Sequence, residues 1–168
     1  VVPLAVPPYV AALAYGDLLG YTGPLQQLWR AVGAAGPFPL APRGPVAAVL
    51  VLSSVLYPYI YLTATAAFAR QAGAWEVARS LGRSPGSLLG GLALPLARPA
   101  LLAGSALVVM ETLADYGAVH YLGVDTLTVG IFRTWFGRGD RSSAFTLAAL
   151  LLVLAALALA FERRQRGK

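Results

Sequence analysis

Cysteine is absent from the 168 residues, and His and Met occur once each, as His120 and Met110. Without thiols there is no disulfide framework, no thiolate nucleophile and no Cys-ligated metal site. Charge is scarce as well: 12% of residues are Asp, Glu, Lys or Arg, where an ordinary soluble domain has roughly 25%. Thirteen basic and seven acidic side chains are too few to cover the surface of a soluble domain of this length. A simple soluble enzyme and a disordered chain are therefore excluded. No G-x-x-x-x-G-K-[ST] phosphate loop occurs, so this chain is not expected to bind nucleotide. The net charge of +6 sits mostly in short segments beside apolar runs, with no basic stripe of interleaved aromatics, which argues against a nucleic-acid partner.

What is abundant is apolar surface, 58% of the residues, gathered into runs long enough to cross a bilayer. A hydrocarbon core of about 30 Å takes about 20 residues of helix. Four segments meet that demand: 1–19, 46–69, 92–114 and 144–161. The last is almost all Ala, Leu and Val. The second holds Pro58, the third Arg98, Pro95, Pro99 and Glu111, and the first Pro3, Pro7 and Pro8, which predict a bent or broken start. Because an open sheet edge cannot sit in lipid, the fold is expected to be all-α and polytopic. The first run has no charged stretch ahead of it and does not read as a signal peptide; the chain, starting at Val1, reads as a piece of a longer protein.

Between the spans lie loops 20–45, 70–91 and 115–143. The first is rich in Gly and Pro with one short helix expected near 25–32. In the third, LTVGIFRTWF (127–136) reads as a short interfacial helix with Trp135 and Phe136 at the headgroup boundary. Loop 70–91 with Arg98 and the C-terminal tail carry eight Lys and Arg: Arg70, Arg79, Arg83, Arg98, Arg163, Arg164, Arg166 and Lys168. The other side carries five, Arg30, Arg43, Arg133, Arg138 and Arg141. The positive-inside rule then places loop 70–91 and the C-terminus in the cytoplasm.

Function concentrates in EVARSLGRSPGSLLGGLALPLARP, residues 76–99. On a helix, Trp75, Ala78, Arg79 and Gly82 fall three and four residues apart, so small residues share a face with Trp75. Gly82 permits a close approach or a left-handed turn, Pro85 is expected to stop the helix, and Ser87 is expected to cap a second one that enters the membrane through Leu92, Leu94 and Pro95. The product is a two-helix elbow suited to a groove on another protein.

The spacing resembles the EAA loop of ABC-importer permeases: Glu-Ala-Ala, three residues, Gly, nine residues, then Ile-x-Leu-Pro. Here Glu76-Val77-Ala78 is followed after three residues by Gly82, and after nine more by Leu92-Ala93-Leu94-Pro95. Val77 and Leu92 are the departures. The segments LAVPPYVAALAY (4–15), LYPYIYLTATAAF (56–68) and 110–140 are similar to the iron(III)-type permeases, and the chain resembles the first half of a fused two-half permease without its leading spans. The resemblance implies an incomplete MetI-like permease fold in the plasma (inner) membrane. It implies coupling through Glu76, Val77, Ala78, Gly82, Leu92, Leu94 and Pro95 to a cytoplasmic ATP-binding subunit, with Glu76 as charged anchor and Ala78 and Gly82 giving close packing. It also implies an external substrate-binding protein that meets loops 20–45 and 115–143, a second permease half, and lipid all round. ATP would be bound by the partner, and this chain would need no cofactor. Ferric iron is the expected cargo, with thiamine or polyamine permeases as close relatives.

Glu111 and Asp115 stand four apart on one helical face and are candidates for the translocation path. The competing reading has them structural, paired with a residue such as Arg133. His120 reads as a packed or solvated loop residue rather than a ligand, and no metal site is expected. Tyr57, Tyr59 and Tyr61 diverge around Pro58 and suit a lipid boundary or interhelix contact; Gly104 and Ser105 permit close helix packing. Two rival classes are weighed against this reading. A membrane-embedded hydrolase would need a nucleophile with a base or two metal ligands at close range, whereas the one His lies on the outer side, away from the cytoplasmic carboxylate, and Cys is absent; a free-standing carrier or channel would need neither ATPase nor elbow.

Overall fold

The computed structural model describes residues 2–166, so Val1 of the expected first span and Lys168 of the basic tail lie outside the described residues. Within them every element is helical, as lipid demands of a chain that must satisfy its own backbone. A 3-10 turn (Val2–Ala5) leads into α1 (Pro8–Leu19) and α2 (Pro24–Ala31). Both helices begin on a proline, whose missing N–H is no loss in a first turn. Then come α3 (Pro45–Ala69), α4 (Ala72–Ser80), α5 (Pro85–Leu88), a π-turn (Leu89–Ala93) and α6 (Leu94–Ala114). Two short helices, α7 (Gly117–Tyr121) and α8 (Leu127–Phe132), a second π-turn (Arg133–Gly137) and α9 (Arg141–Arg166) complete the chain.

Three stretches are long and apolar enough to cross a membrane: Pro45–Ala69, Pro85–Ala114 and Arg141–Gln165. They correspond to three of the four expected spans. The fourth, 1–19, is not a single helix. Pro7 and Pro8 separate the 3-10 turn from α1, and the 12 residues of α1 rise about 18 Å, short of a core of about 30 Å. The third span starts seven residues earlier than expected, at Pro85 rather than Leu92, because Pro85 opens a helix instead of stopping one. Ser87 is not its cap: Ser84 precedes Pro85 in extended conformation, and the Ser87 hydroxyl donates back to the Ser84 carbonyl at 2.9 Å.

The chain divides into two compact units, Val1–Leu56 with Glu111–Val153, and Tyr57–Met110 with Leu154–Lys168. In the first, α1 packs on α7 and α2, with Ala12, Ala118 and Leu122 fully buried. The Gly44 N–H donates to the Leu122 carbonyl at 2.7 Å, fixing the start of α3. The Thr128 hydroxyl donates to the Leu113 carbonyl at 2.6 Å and ties α8 to α6. Asp140 caps α9: its carboxylate accepts the Ser143 N–H at 3.0 Å and the Ser143 hydroxyl at 2.5 Å. Those two bonds hold its pKa below the usual carboxylate value.

Gln26 is a buried polar side chain, 2% exposed. Its amide donates to the Gly36 carbonyl at 3.2 Å and accepts the Phe38 N–H at 2.6 Å, while Trp29 meets Phe38 edge to face. One side chain of α2 thus pins the Gly- and Pro-rich loop that follows. Gln26→Leu leaves both backbone groups unpaired, at about 1–3 kcal/mol each. In the complete protein the Phe38 amide should then exchange its hydrogen at least about tenfold faster, a change of 1.4 kcal/mol or more in local opening; unchanged exchange there would show that other contacts hold the loop.

Candidate functional site

The elbow is built by two turns that the local sequence dictates. Helix α4 ends in a Schellman motif: the Gly82 N–H donates to the Arg79 carbonyl at 2.9 Å and the Arg83 N–H to the Ala78 carbonyl at 3.3 Å. The motif needs a left-handed residue at its hinge, and Gly82 supplies it at φ +81°. An added Cβ there would meet nothing within 4 Å. The left-handed turn is therefore the role seen for Gly82 within this chain. Pro85 then starts α5, and the chain runs through the π-turn into α6 as one 30-residue stretch, Pro85–Ala114.

The elbow presents its surface outward. No residue of α4 is buried. Glu76 and Val77 are exposed, Val77 at 63% and Leu81 beyond it at 78%, while Trp75 and Ala78 turn partly inward. Arg79, expected on the face of Trp75, is exposed. A carboxylate with exposed aliphatic side chains near it on a nine-residue helix is a surface of the kind that can dock in a groove. The other motif residues lie at the far end: Leu92 is half-buried within the π-turn, and Leu94 and Pro95 are exposed where α6 begins. The structure thus divides the motif between an outward elbow and the root of a membrane-length helix.

Two features of this root escape a motif reading. Leu88 is 0% exposed, and residues 70–87 contain no buried side chain. The π-turn closes with the Leu94 N–H donating to the Leu89 carbonyl. Pro95 explains its place, since a proline ring clashes with the carbonyl four residues back and removes one helical bond. Gly90, Gly91 and Pro95 together are the signal that could have located it.

In the other unit the candidate translocation residues separate. Glu111 is exposed near the end of α6. The Asp115 carboxylate accepts the Val119 N–H at 3.0 Å, capping α7. Arg133, the suggested partner of these acids, pairs instead with Asp125 at 3.0 Å; that pair spans α8 and the loop before it, within reach of a short chain segment. His120 stacks on Tyr116, and Tyr116 on Phe132, at centroid distances of 5.0 and 4.2 Å. With Asp125, Arg133 and Phe136 they line a hollow of about 340 Å³. No group of three or more His, Asp or Glu able to hold a metal ion occurs among the described residues. Of the tyrosines around Pro58, Tyr57 and Tyr61 are about half exposed, 50% and 56%.

The chain is similar to permease proteins of transport systems over most of its length. It is 34% identical to the molybdenum transport system permease protein ModB of Mycobacterium tuberculosis, over 92% of this chain and 59% of that protein. It is 31% identical to the probable molybdenum ABC transporter permease protein HVO_B0370 of Haloferax volcanii, over 91% of this chain and 54% of that one. It is 28% identical to the Fe(3+)-transport system permease protein FbpB 2 of Haemophilus influenzae, over 99% of this chain and 29% of that protein. The chain therefore spans little more than half the length of the molybdenum relatives and under a third of the ferric one. No family model and no solved structure matches it.

Proposed function

We propose that this chain is the permease part of an ATP-driven, binding-protein-dependent importer of an inorganic ion, embedded in the plasma (inner) membrane as a multi-pass protein. The observation that carries the reading is the elbow: an exposed helix with Glu76 outward, turned by Gly82, and continuous with a membrane-length helix. The permease relatives support it. A cytoplasmic ATPase would dock on α4, with Glu76 as charged anchor and Val77 and Ala78 in contact. Hydrolysis would occur in that partner, and its closure would shift the spans between inward- and outward-facing states. Loop 70–91 and the C-terminus would face the cytoplasm, as their surplus of arginine favours. Loops 20–45 and 115–143 would meet the external binding protein, and a second permease half would complete the passage. Asp115 serves here as a cap; Glu111 remains the candidate for the passage wall.

Molybdenum is the favoured cargo, because the two relatives named for it share higher identity, 34% and 31%, than the ferric one at 28%. Ferric iron is the second reading, carried by the 99% of this chain that aligns with the ferric permease. Vesicles holding the complete permease, its ATPase and its binding protein test the class and the cargo together. Uptake of labelled molybdate, and not of chelated ferric iron, should require both ATP and the binding protein. Uptake that persists without ATP would make the protein a carrier. A binding protein that takes only ferric iron, thiamine or putrescine would replace the cargo but keep the class.

A further inference from the structure

The buried positions at the root of the elbow are Leu88, Ala93, Ala97 and Gly104. The last three are spaced by four and seven residues and continue one face from the end of the π-turn into α6. Leu88 and Ala93 are five apart. In an uninterrupted α-helix, at about 100° per residue, they would point about 140° away from each other. The π-turn between them closes its ring over five residues, from Leu89 to Leu94, and so brings Leu88 back toward the face of Ala93. Leu88 is the one buried side chain of residues 85–92. Gly90 and Gly91 are exposed and have open space where a side chain would go, so no packing contact of theirs holds the turn in place.

We propose that Leu88 and the π-turn form a two-position joint that carries the ATPase stroke into α6. In one position the turn is π and Leu88 is seated. In the other the turn relaxes to α, Leu88 swings off the buried stripe, and everything before it rotates by one residue, about 100° and 1.5 Å along the axis. Leu88 is a positioning residue here: it touches neither cargo nor nucleotide, but its seating decides which way the elbow points. Such an element is bistable rather than continuously deformable, which is what a coupling device requires. The inference rests on the permease reading given above.

The chain has no cysteine, so Leu88→Cys gives it a single thiol to follow by peptide mass spectrometry. In the complete permease with its ATPase in liposomes, a membrane-permeant maleimide should label this thiol at rates differing at least about tenfold between the nucleotide-free and ATP-trapped states, since a seated residue is accessible only in a minor population. A chain lacking Gly90 places Leu88 and Ala93 four apart on a plain α-helix and locks Leu88 in its seat. There labelling should be slow in both states, the ATPase should stay bound, and ATP hydrolysis should no longer drive uptake. Gly90→Ala with Gly91→Ala, which keeps the length and favours α, is the companion variant, expected to shift labelling toward the fast state. Leu88→Met should keep uptake per ATP near the parent value and Leu88→Ser should lower it severalfold. Equal labelling in both nucleotide states with the ATPase bound, or full uptake by the Gly90 deletion, overturns the joint and leaves the permease reading standing. An unmodified permease that retains no ATPase overturns both.

Discussion

Glu76→Lys in the complete permease should cut recovery of the co-expressed ATPase at least about tenfold and abolish ATP-driven uptake, while the permease still inserts in the membrane at parent levels. Glu76 is exposed on α4, a helix without a buried residue, so the folded chain loses little when it changes. At an interface the balance differs. A carboxylate that is desolvated against a cationic partner contributes when paired, and reversing it leaves two buried like charges; truncation alone of such pairs costs about 2–5 kcal/mol. Every 1.4 kcal/mol is about tenfold in affinity, so the lower end already exceeds the stated loss. Glu76→Gln separates charge from shape and should fall between parent and reversal. ATPase recovery that stays at the parent level in Glu76→Lys removes the elbow as docking site.

Gly82 gives the same test through the backbone. At φ +81° with open space around its Cα, it tolerates size but not a β-branched side chain, for which a left-handed conformation costs about 1–2 kcal/mol or more. Gly82→Asn should retain docking, since Asn enters that region with a local hydrogen bond. Gly82→Val should swing Arg83 to Leu88 away from their present course and lower docking together with uptake. Val and Asn are similar in bulk, so a difference between them reports the turn and not a contact.

How much of this was legible beforehand differs by residue. The apolar runs 46–69, 92–114 and 144–161 need no tertiary contact to be read, and each lies within a membrane-length helix, 45–69, 85–114 and 141–165; the short helix Pro24–Ala31 lies where one was expected, near 25–32. The Gly82 turn was legible because only one residue type fits it easily. Pro85 was misread, since a proline stops the helix before it and equally begins the next; with Gly82 already ending α4, only the second role was left. The π-turn was not legible from period, because 3.6-residue spacing assumes the very register that Pro95 breaks. Nor was the choice of Asp125 over Glu111 or Asp115 as partner for Arg133. Charge pairing depends on which loop folds back, and hydropathy says nothing about that.

Gly104→Leu should be the most damaging single change to the helix packing. An added Cβ at Gly104 would strike the Thr63 hydroxyl and lie 3.0 Å from both the Ile60 Cα and the Tyr59 carbonyl oxygen. Two of those three atoms are backbone, and the third is held by bonds to the Tyr59 and Ile60 carbonyls at 2.9 and 3.0 Å. Nothing at the crossing can turn aside, so α3 and α6 must separate. In lipid no hydrophobic force pulls two helices together; close packing and interhelical polar contacts do, and small residues are what allow the approach. Overpacking of this kind costs about 1–3 kcal/mol, and more where backbone is the obstacle. The detergent-solubilised complete permease carrying Gly104→Leu should melt several degrees lower and lose most of its uptake, with Gly104→Ala intermediate. Ser105→Leu is the control: its side chain borders an open groove with Leu101, Leu102 and Arg98, and the same added volume there should leave the melting temperature nearly unchanged. Equal losses at the two positions would mean that bulk anywhere on α6 is disruptive, and the crossing at Gly104 would hold no special place in the fold.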